Sequence, residues 1–280
     1  MTNRPAVLVA ILTVAALACG GTITLPQAPT AGPAVVEEIS IPAPAAGETR
    51  LKISFGAGDL TLSPGAANLV DGTATYNFED LKPEIITQGN SVEIKQHDLL
   101  TLVEPRNIVN AWDLQLGSSP IDLSINAGAY KGEMELGGLP LTNLTVKDGA
   151  ASVELAFSEP NPSQMTVLRY ETGASQVRMK GLANANFSTM IFGSGAGDYT
   201  LDFSGSLQRD ATITITTGLS NITLAIPKGV SATVNAETGI SNINAGPSWT
   251  KDGSRYVQSG SGNALTFIIK GGAGNLTLSN

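Results

Sequence analysis

Gly195-Ala196-Gly197-Asp198-Tyr199-Thr200-Leu201 is followed, one period later, by Gly218-Leu219-Ser220-Asn221-Ile222-Thr223-Leu224. The same frame opens at Gly149, Gly173, Gly239 and Gly272, and an imperfect copy stands at Gly128. From Gly128 through Gly149, Gly173, Gly195 and Gly218 to Gly239 the spacing is nearly even, at about 22 residues. So regular a period marks a repeat architecture, in which one unit is too small to bury its own apolar face and must stack on the next. Each glycine is followed by an apolar-polar-apolar alternation, and a second β-branched run, such as Thr212-Ile213-Thr214-Ile215, precedes the next glycine. Period two sends alternate side chains to opposite faces of a strand, so each unit reads as two strand pieces. The expected fold is all-β: a repeat β-solenoid, a parallel β-helix-like stack of rungs of about 22 residues, with a β-rich N-terminal cap.

Equivalent positions sort into columns. Val153, Val177, Tyr199, Ile222, Ile243 and Leu276 form one expected inner ladder, and Leu155, Met179, Leu201, Leu224, Ala245 and Leu278 the other. Between them Glu154, Arg178, Thr200, Thr223, Asn244 and Thr277 should point outward, with Glu154 and Arg178 able to pair. Asp198, Asn221, Asn242 and Asn275 are read as turn-makers, because such side chains bond nearby backbone at bends. Gly56 to Ser63 matches the repeat, but the rest of 48–117 departs from it and is read as a β-rich cap or small domain, with 118–280 as the repeat domain.

The interval from Gly239 to Gly272 is clearly longer than the others, and the excess points to a hairpin insertion around 247–261, turning at Asp252-Gly253. Trp249 and Tyr256 there suit a cross-strand pair and, with Arg255, form a candidate interaction surface. The competing reading is a hairpin that covers the open end of the stack.

The N-terminus supplies an address. Residues 1–18 begin with Arg4 and run apolar from Ala6 to Ala18, too short for a bilayer span of about 20 residues, which reads as an export signal. Ala16-Leu17-Ala18-Cys19-Gly20 resembles the lipobox of bacterial lipoproteins, departing from it at Ala16, where Leu is commoner. The resemblance implies acylation of Cys19, the chain's only cysteine. The alternatives are an ordinary signal peptide or an uncleaved anchor. Residues 19–47, with Pro26, Pro29, Pro33, Pro42 and Pro44, read as a lipidated semi-rigid tether, and only the later half offers an irregular strand through Val35-Val36 and Ile39 to Ile41.

The Gly56-Ala57-Gly58-Asp59-Leu60-Thr61-Leu62 opening, the Leu69-Val70-Asp71-Gly72 and Tyr76 segment, the rungs from Gly128 and the Gly272-Ala273-Gly274-Asn275-Leu276 close are similar to the toast-rack family and the adhesin-like proteins related to it. That resemblance covers roughly 48–280 and implies a β-stacked fold in the bacterial envelope; it brings no catalytic residues with it.

Little chemistry is legible. The single histidine, His97, leaves a Ser-His-Asp site without support, and its neighbour Asp98 would point to the opposite strand face. Nitrogen- or sulfur-ligated metals fail on ligand count, and calcium fails because the acid of the repeat occurs only at Asp59 and Asp198, so neither metal nor cofactor is expected. A net charge of −8 without a basic patch disfavours nucleic acid. The sequence thus predicts a non-enzymatic lipoprotein on the outer face of the cytoplasmic membrane or on the outer membrane. It is held there by its lipid and serves adhesion, interaction or envelope stress, with a cell-wall polymer or an envelope protein as partner. The alternative is a polysaccharide lyase or glycosidase on Glu133, Glu135 and Glu154, the one acidic cluster.

Overall fold

The structure, a computed structural model, describes residues 31–44, 47–96, 107–237 and 242–280. The chain divides into two compact units, and the one formed by 32–100 and 108–280 carries all the strands given below. Cys19 and His97 lie outside the described residues.

The strands are β1 (Val35–Ile41), β2 (Thr49–Pro64), β3 (Val70–Tyr76), β4 (Glu84–Gln88), β5 (Ser91–Lys95) and β6 (Asn110–Leu116). Next come β7 (Ile121–Glu135), β8 (Leu141–Ala156), β9 (Met165–Lys180), β10 (Phe187–Asp202) and β11 (Ala211–Ala225). Last are β12 (Gly229–Ala236), β13 (Asn242–Ala245), β14 (Trp249–Asp252), β15 (Arg255–Gln258) and β16 (Gly260–Ser279). Among the described residues the only helical segments are two short 3-10 turns, Glu79–Leu81 and Leu182–Ala185.

Where the sequence reads as two strand pieces per unit, the piece before a glycine and the piece after it form one continuous strand with the glycine in its middle, as Gly149 stands within β8. We call these two halves the first and second arms. β7 to β11 lie side by side and parallel: Leu123 is beside Leu144, Leu144 beside Leu168, Leu168 beside Met190, and Met190 beside Ile213. Parallel neighbours need a crossover, here a short return loop at the end of each second arm. The loops join the ladder too, since Leu136 N–H donates to Ala156 O at 2.8 Å and Phe157 N–H to Lys180 O at 3.0 Å.

The core lies between the arms and the loops. The first arms bury columns such as Ile125, Val146, Tyr170, Phe192 and Ile215, and the loops contribute Leu136, Phe157, Leu182, Phe203 and Ile226. On the second arms Val153, Val177, Tyr199, Ile222 and Leu276 are buried, as are Leu155, Met179, Leu201, Leu224 and Leu278. Each such aliphatic side chain contributes about 1.5–3 kcal/mol on full burial. The imperfect copy has its own solution: at Gly132 the ring of Tyr130 fills the column, and a Cβ there would meet Tyr130 Cε2 at 2.8 Å.

The corner glycines are demanded by close approach of backbone to backbone. A Cβ on Gly173 would stand 2.5 Å from Gly149 O, one on Gly195 2.6 Å from Gly173 O, and one on Gly218 2.5 Å from Gly195 O. The same contact joins Gly272 to Gly218 and Gly128 to Gly56. At the first of these corners the partner is a side chain, for Gly56 N–H donates to Gln96 Oε1 at 2.8 Å. Gln96 Nε2 in turn donates to Asn110 Oδ1 at 2.7 Å, and Asn110 Nδ2 to Ala57 O. Two carboxamides thus satisfy the backbone groups that a further glycine corner would have taken.

The pairings add detail to these expectations. Within 48–117, β2 is itself in register with the repeat, pairing with β7 through both arms, Leu51 beside Leu123 and Leu62 beside Met134, while β5 and β6 line its other side. Part of the supposed tether is a strand, since β1 pairs antiparallel with β3, whose other neighbour is β6. The last two copies exchange places, because β16 inserts between β11 and β12, putting Phe267 beside both Ile213 and Val234. In consequence the last inner positions, Ile243 and Ala245 on β13, are only half-buried.

Gly173→Ala should lower stability by about 1–3 kcal/mol in urea unfolding, the usual cost of forcing one extra carbon into packed structure. Tyr76 supplies a pH-dependent prediction. Burial, followed by its hydrogen bond to Glu37 Oε2 at 2.9 Å, pushes its phenol from 10.0 up to about 12. The folded chain therefore holds this proton where the unfolded chain releases it. The contribution is intact below pH 10.0 and is lost as pH rises through about 12. Tyr76→Phe should blunt that decline in melts across the same window.

Candidate functional site

Alternation on the second arm places Thr61, Glu133, Glu154 and Arg178 side by side on the outward face of β2, β7, β8 and β9. Glu133, Glu135 and Glu154 line one shallow depression of about 290 Å³ together with Lys180 and Ser63. The acidic cluster is therefore gathered on adjacent strands in a groove. Its carboxylates, however, are already engaged. Lys131 Nζ donates to Glu133 Oε1 at 2.7 Å, and Glu154 meets Lys180 at 3.3 Å and Arg178 at 3.8 Å. Glu135 Oε1 accepts the amides of Gly137 at 2.7 Å and Ser158 at 3.1 Å. The Lys131 hydrogen bond holds the Glu133 carboxyl below the usual range. A glycosidase needs one carboxyl kept protonated by a raised pKa, and Glu133 is moved the other way.

The hairpin forms at the predicted turn. Asp252 faces Arg255 and Lys251 faces Tyr256, so Trp249 lies opposite Gln258 and is a diagonal neighbour of Tyr256, not its direct partner. Trp249 is 8% exposed and Tyr256 5%, and both belong to the core cluster. This corrects the candidate interaction surface, of which only Arg255 is exposed. The reason is that β15 pairs with β12, which turns the aromatic face of the hairpin over the end of the core. Buried Gln258 fastens it there, donating to Pro227 O at 2.9 Å and Val230 O at 3.0 Å.

Inside the corners sits a polar cluster that sequence reasoning missed. Tyr170 OH donates to Asp148 Oδ2 at 2.6 Å, and Tyr130 OH reaches the same oxygen at 3.4 Å. Thr172 and Ser175 share a hydrogen bond of 2.6 Å, and Ser175 Oγ accepts the amide of Ala151 at 2.9 Å. Burial drives the Tyr130 and Tyr170 phenols well above their ordinary range. A similar arrangement joins Ser194, Thr217 and Ser220. The available signal was the polar residue directly before four of the corner glycines: Asp148, Thr172, Ser194 and Thr217. All but the half-buried Ser194 are closed off from solvent, and what these groups accomplish is to pair polar atoms at bends where the ladder is interrupted.

The supposed turn-makers form a ladder instead. Asn221 Nδ2 donates to Asp198 Oδ1 at 2.9 Å, and Asn275 Nδ2 to Asn221 Oδ1 at 2.8 Å. They stand on strands, so their amides bond the next strand and not their own backbone. Asp59 and Asp198 share this column, separated by β7, β8 and β9, which keeps the two carboxylates roughly 19 Å apart. Among the described residues no three His, Cys, Asp or Glu side chains come together to hold a metal, and no helix is long and apolar enough to cross a membrane.

With this geometry in place, comparison with known proteins adds three findings. No curated protein matches the chain. Among solved structures it is similar to a candidate cell adhesion protein from Clostridium sporogenes, at 21% identity and a TM-score of 0.52, with 88% of this chain and 99% of that one covered. At that identity the likeness is one of fold. It also aligns with a candidate adhesin from Parabacteroides merdae, at 11% identity and a TM-score of 0.39, covering 89% and 98% of the two chains. Residues 30–168, from just before β1 into the start of β9, match the family model described as the N-terminal domain of toast_rack, DUF2154. Over residues 30–168 the chain thus carries the N-terminal domain of the toast-rack family on its glycine-cornered strands.

Proposed function

We propose that this chain is a non-enzymatic lipoprotein of the bacterial envelope, exported by residues 1–18, acylated on Cys19, and built as a β-solenoid with rungs of about 22 residues. The register from β7 to β11, in which each strand meets the equivalent positions of the next, supports that rung length. The solenoid serves as a rigid platform for adhesion or interaction, with a cell-wall polymer or an envelope protein as its partner, and needs no cofactor or nucleic acid.

One observation carries the reading. On β10, β11 and β16 the outward columns of the second arms repeat the same polar chemistry from strand to strand: Asp198, Asn221 and Asn275 in one, Thr200, Thr223 and Thr277 in the next. Strands about 4.8 Å apart turn such columns into a periodic polar face. A periodic face suits a partner that is itself periodic, such as a cell-wall polymer. The name of the structurally similar cell adhesion protein from Clostridium sporogenes agrees with this use.

The carboxylates in the groove on β7 and β8 favour a second reading, a polysaccharide-active enzyme. Its requirement for a protonated acid is unsupported at Glu133.

Two experiments test the main reading. Labelled fatty acid should enter the native chain and not Cys19→Ala; equal labelling of both would sink the anchor. Co-sedimentation with insoluble cell wall should weaken about tenfold, or 1.4 kcal/mol, when Thr200, Thr223 and Thr277 are replaced by Lys. The Glu133→Gln and Glu154→Gln variants should bind unchanged and leave the polymer uncut, as the native chain does. Polymer cleavage by the native chain that these variants lose would establish the enzyme instead.

A further inference from the structure

We propose that the outer edge of β13 seats a second copy of this chain, related by a two-fold axis, whose own β13 runs antiparallel and extends the second-arm sheet of both. The starting point is an asymmetry between the ends of the stack. Beyond β2 the second arm continues into β6, β3 and β1, and the first arm into β5 and β4. At the other end the first arm is closed by β15 and β14. Of the second arms at this end, β13 is the last, paired on one side only, with β16, among the described residues, so that its far edge can take a further strand.

The side chains beneath that edge want the same thing. Leu276 and Leu278 on β16 are each 1% exposed, while their neighbours Ile243 and Ala245 are half-buried. One more strand would give these two positions the cover that every earlier rung enjoys.

Charge decides which strand. The other free edges are guarded: β1 carries Glu38 and also Glu37, which stands in the same lateral row as Ala74, Trp112 and Leu60; β4 begins with Glu84; and β14 carries Lys251 and Asp252. A carboxylate in an inward row repels an added apolar strand. β13 is Asn242-Ile243-Asn244-Ala245, with no charge at all. A two-fold axis brings a strand against itself, and a charged strand would meet its own charge there. An uncharged one does not. Carboxamides are moreover self-complementary, each a donor and an acceptor. Asn242 continues the column in which Asn275 already bonds Asn221 and Asn221 bonds Asp198. In an antiparallel pair that keeps Ile243 facing inward in both copies, Asn242 and Asn244 share the outer face with the same residues of the other copy. Isologous pairing of this kind is the commonest route to a dimer.

The test uses the full chain in mild detergent, its mass read by light scattering corrected for bound detergent. The native chain should show the mass of two chains. The exposed double substitution Asn242→Asp with Asn244→Asp sets carboxylates against carboxylates across the axis and should return one chain at an unchanged melting temperature. In an oxidised sample, Asn242→Cys and Asn244→Cys together should yield a covalent dimer that Thr250→Cys does not. A native chain that scatters as one molecule at all concentrations, or a two-chain mass that survives the aspartates, overturns the proposal.

Discussion

The structure depends on one close contact, repeated: at each corner the backbone of one glycine rests against the carbonyl oxygen of the glycine on the strand beside it. Sheets ordinarily keep neighbouring backbones about 4.8 Å apart through their ladder bonds, but at a bend the ladder is interrupted and the chains close in. Only a residue without Cβ fits. Once the glycines touch, the arms on either side are brought into register together, and the apolar columns follow. Any other residue at Gly173 or Gly195 would hold two arms apart at once, so local sterics and global stacking amount to a single requirement.

Bending a strand leaves polar backbone and polar side chains on the inside of the turn, where solvent does not reach. The chain resolves this with short hydroxyls, one buried carboxylate and two phenols, and at the terminal corner with the carboxamides of Gln96 and Asn110. The core is consequently of two kinds, aliphatic along the arms and hydrogen-bonded at the corner. Within the polar part Asp148 accepts hydrogen bonds from Tyr170, Tyr130 and Ser175, which fixes its position.

Much of this was legible from spacing. Glycine followed by an alternating pair of apolar residues identified both inner columns of the second arms, because period two ties burial to parity. Val153 and Leu155 are buried, and Glu154 between them is exposed and lies 3.8 Å from Arg178 as parity suggests. What spacing did not reveal is spatial order where the chain leaves the period. β2 finds its neighbour β7 only after β3 to β6 have intervened, and β11 finds β16 only after β12 to β15. Nothing in a local motif tells Leu51 that it will lie beside Leu123, or Ile213 that it will lie beside Phe267. Asn221 was misread for a related reason: an asparagine that bonds its own backbone and one that bonds the next strand are the same letter. Trp249 and Tyr256 looked like a binding surface because aromatics on an insertion usually are, yet the insertion here closes an end, and what it closes over is apolar.

The insertion of β16 between β11 and β12 also bears on how the molecule is assembled. A chain that folds as it is made, from its N-terminus, can add β7 to β11 one after another, each on a finished neighbour. β12 has no such neighbour, since the strand that must lie beside it is the last to arrive. The pairing of β12 on this side is thus completed only by the final strand, Gly260–Ser279, which bonds β11 and β12 at once. The most distant pairing in this half of the molecule is thus also its closing step, so an otherwise sequential fold acquires an all-or-none finish.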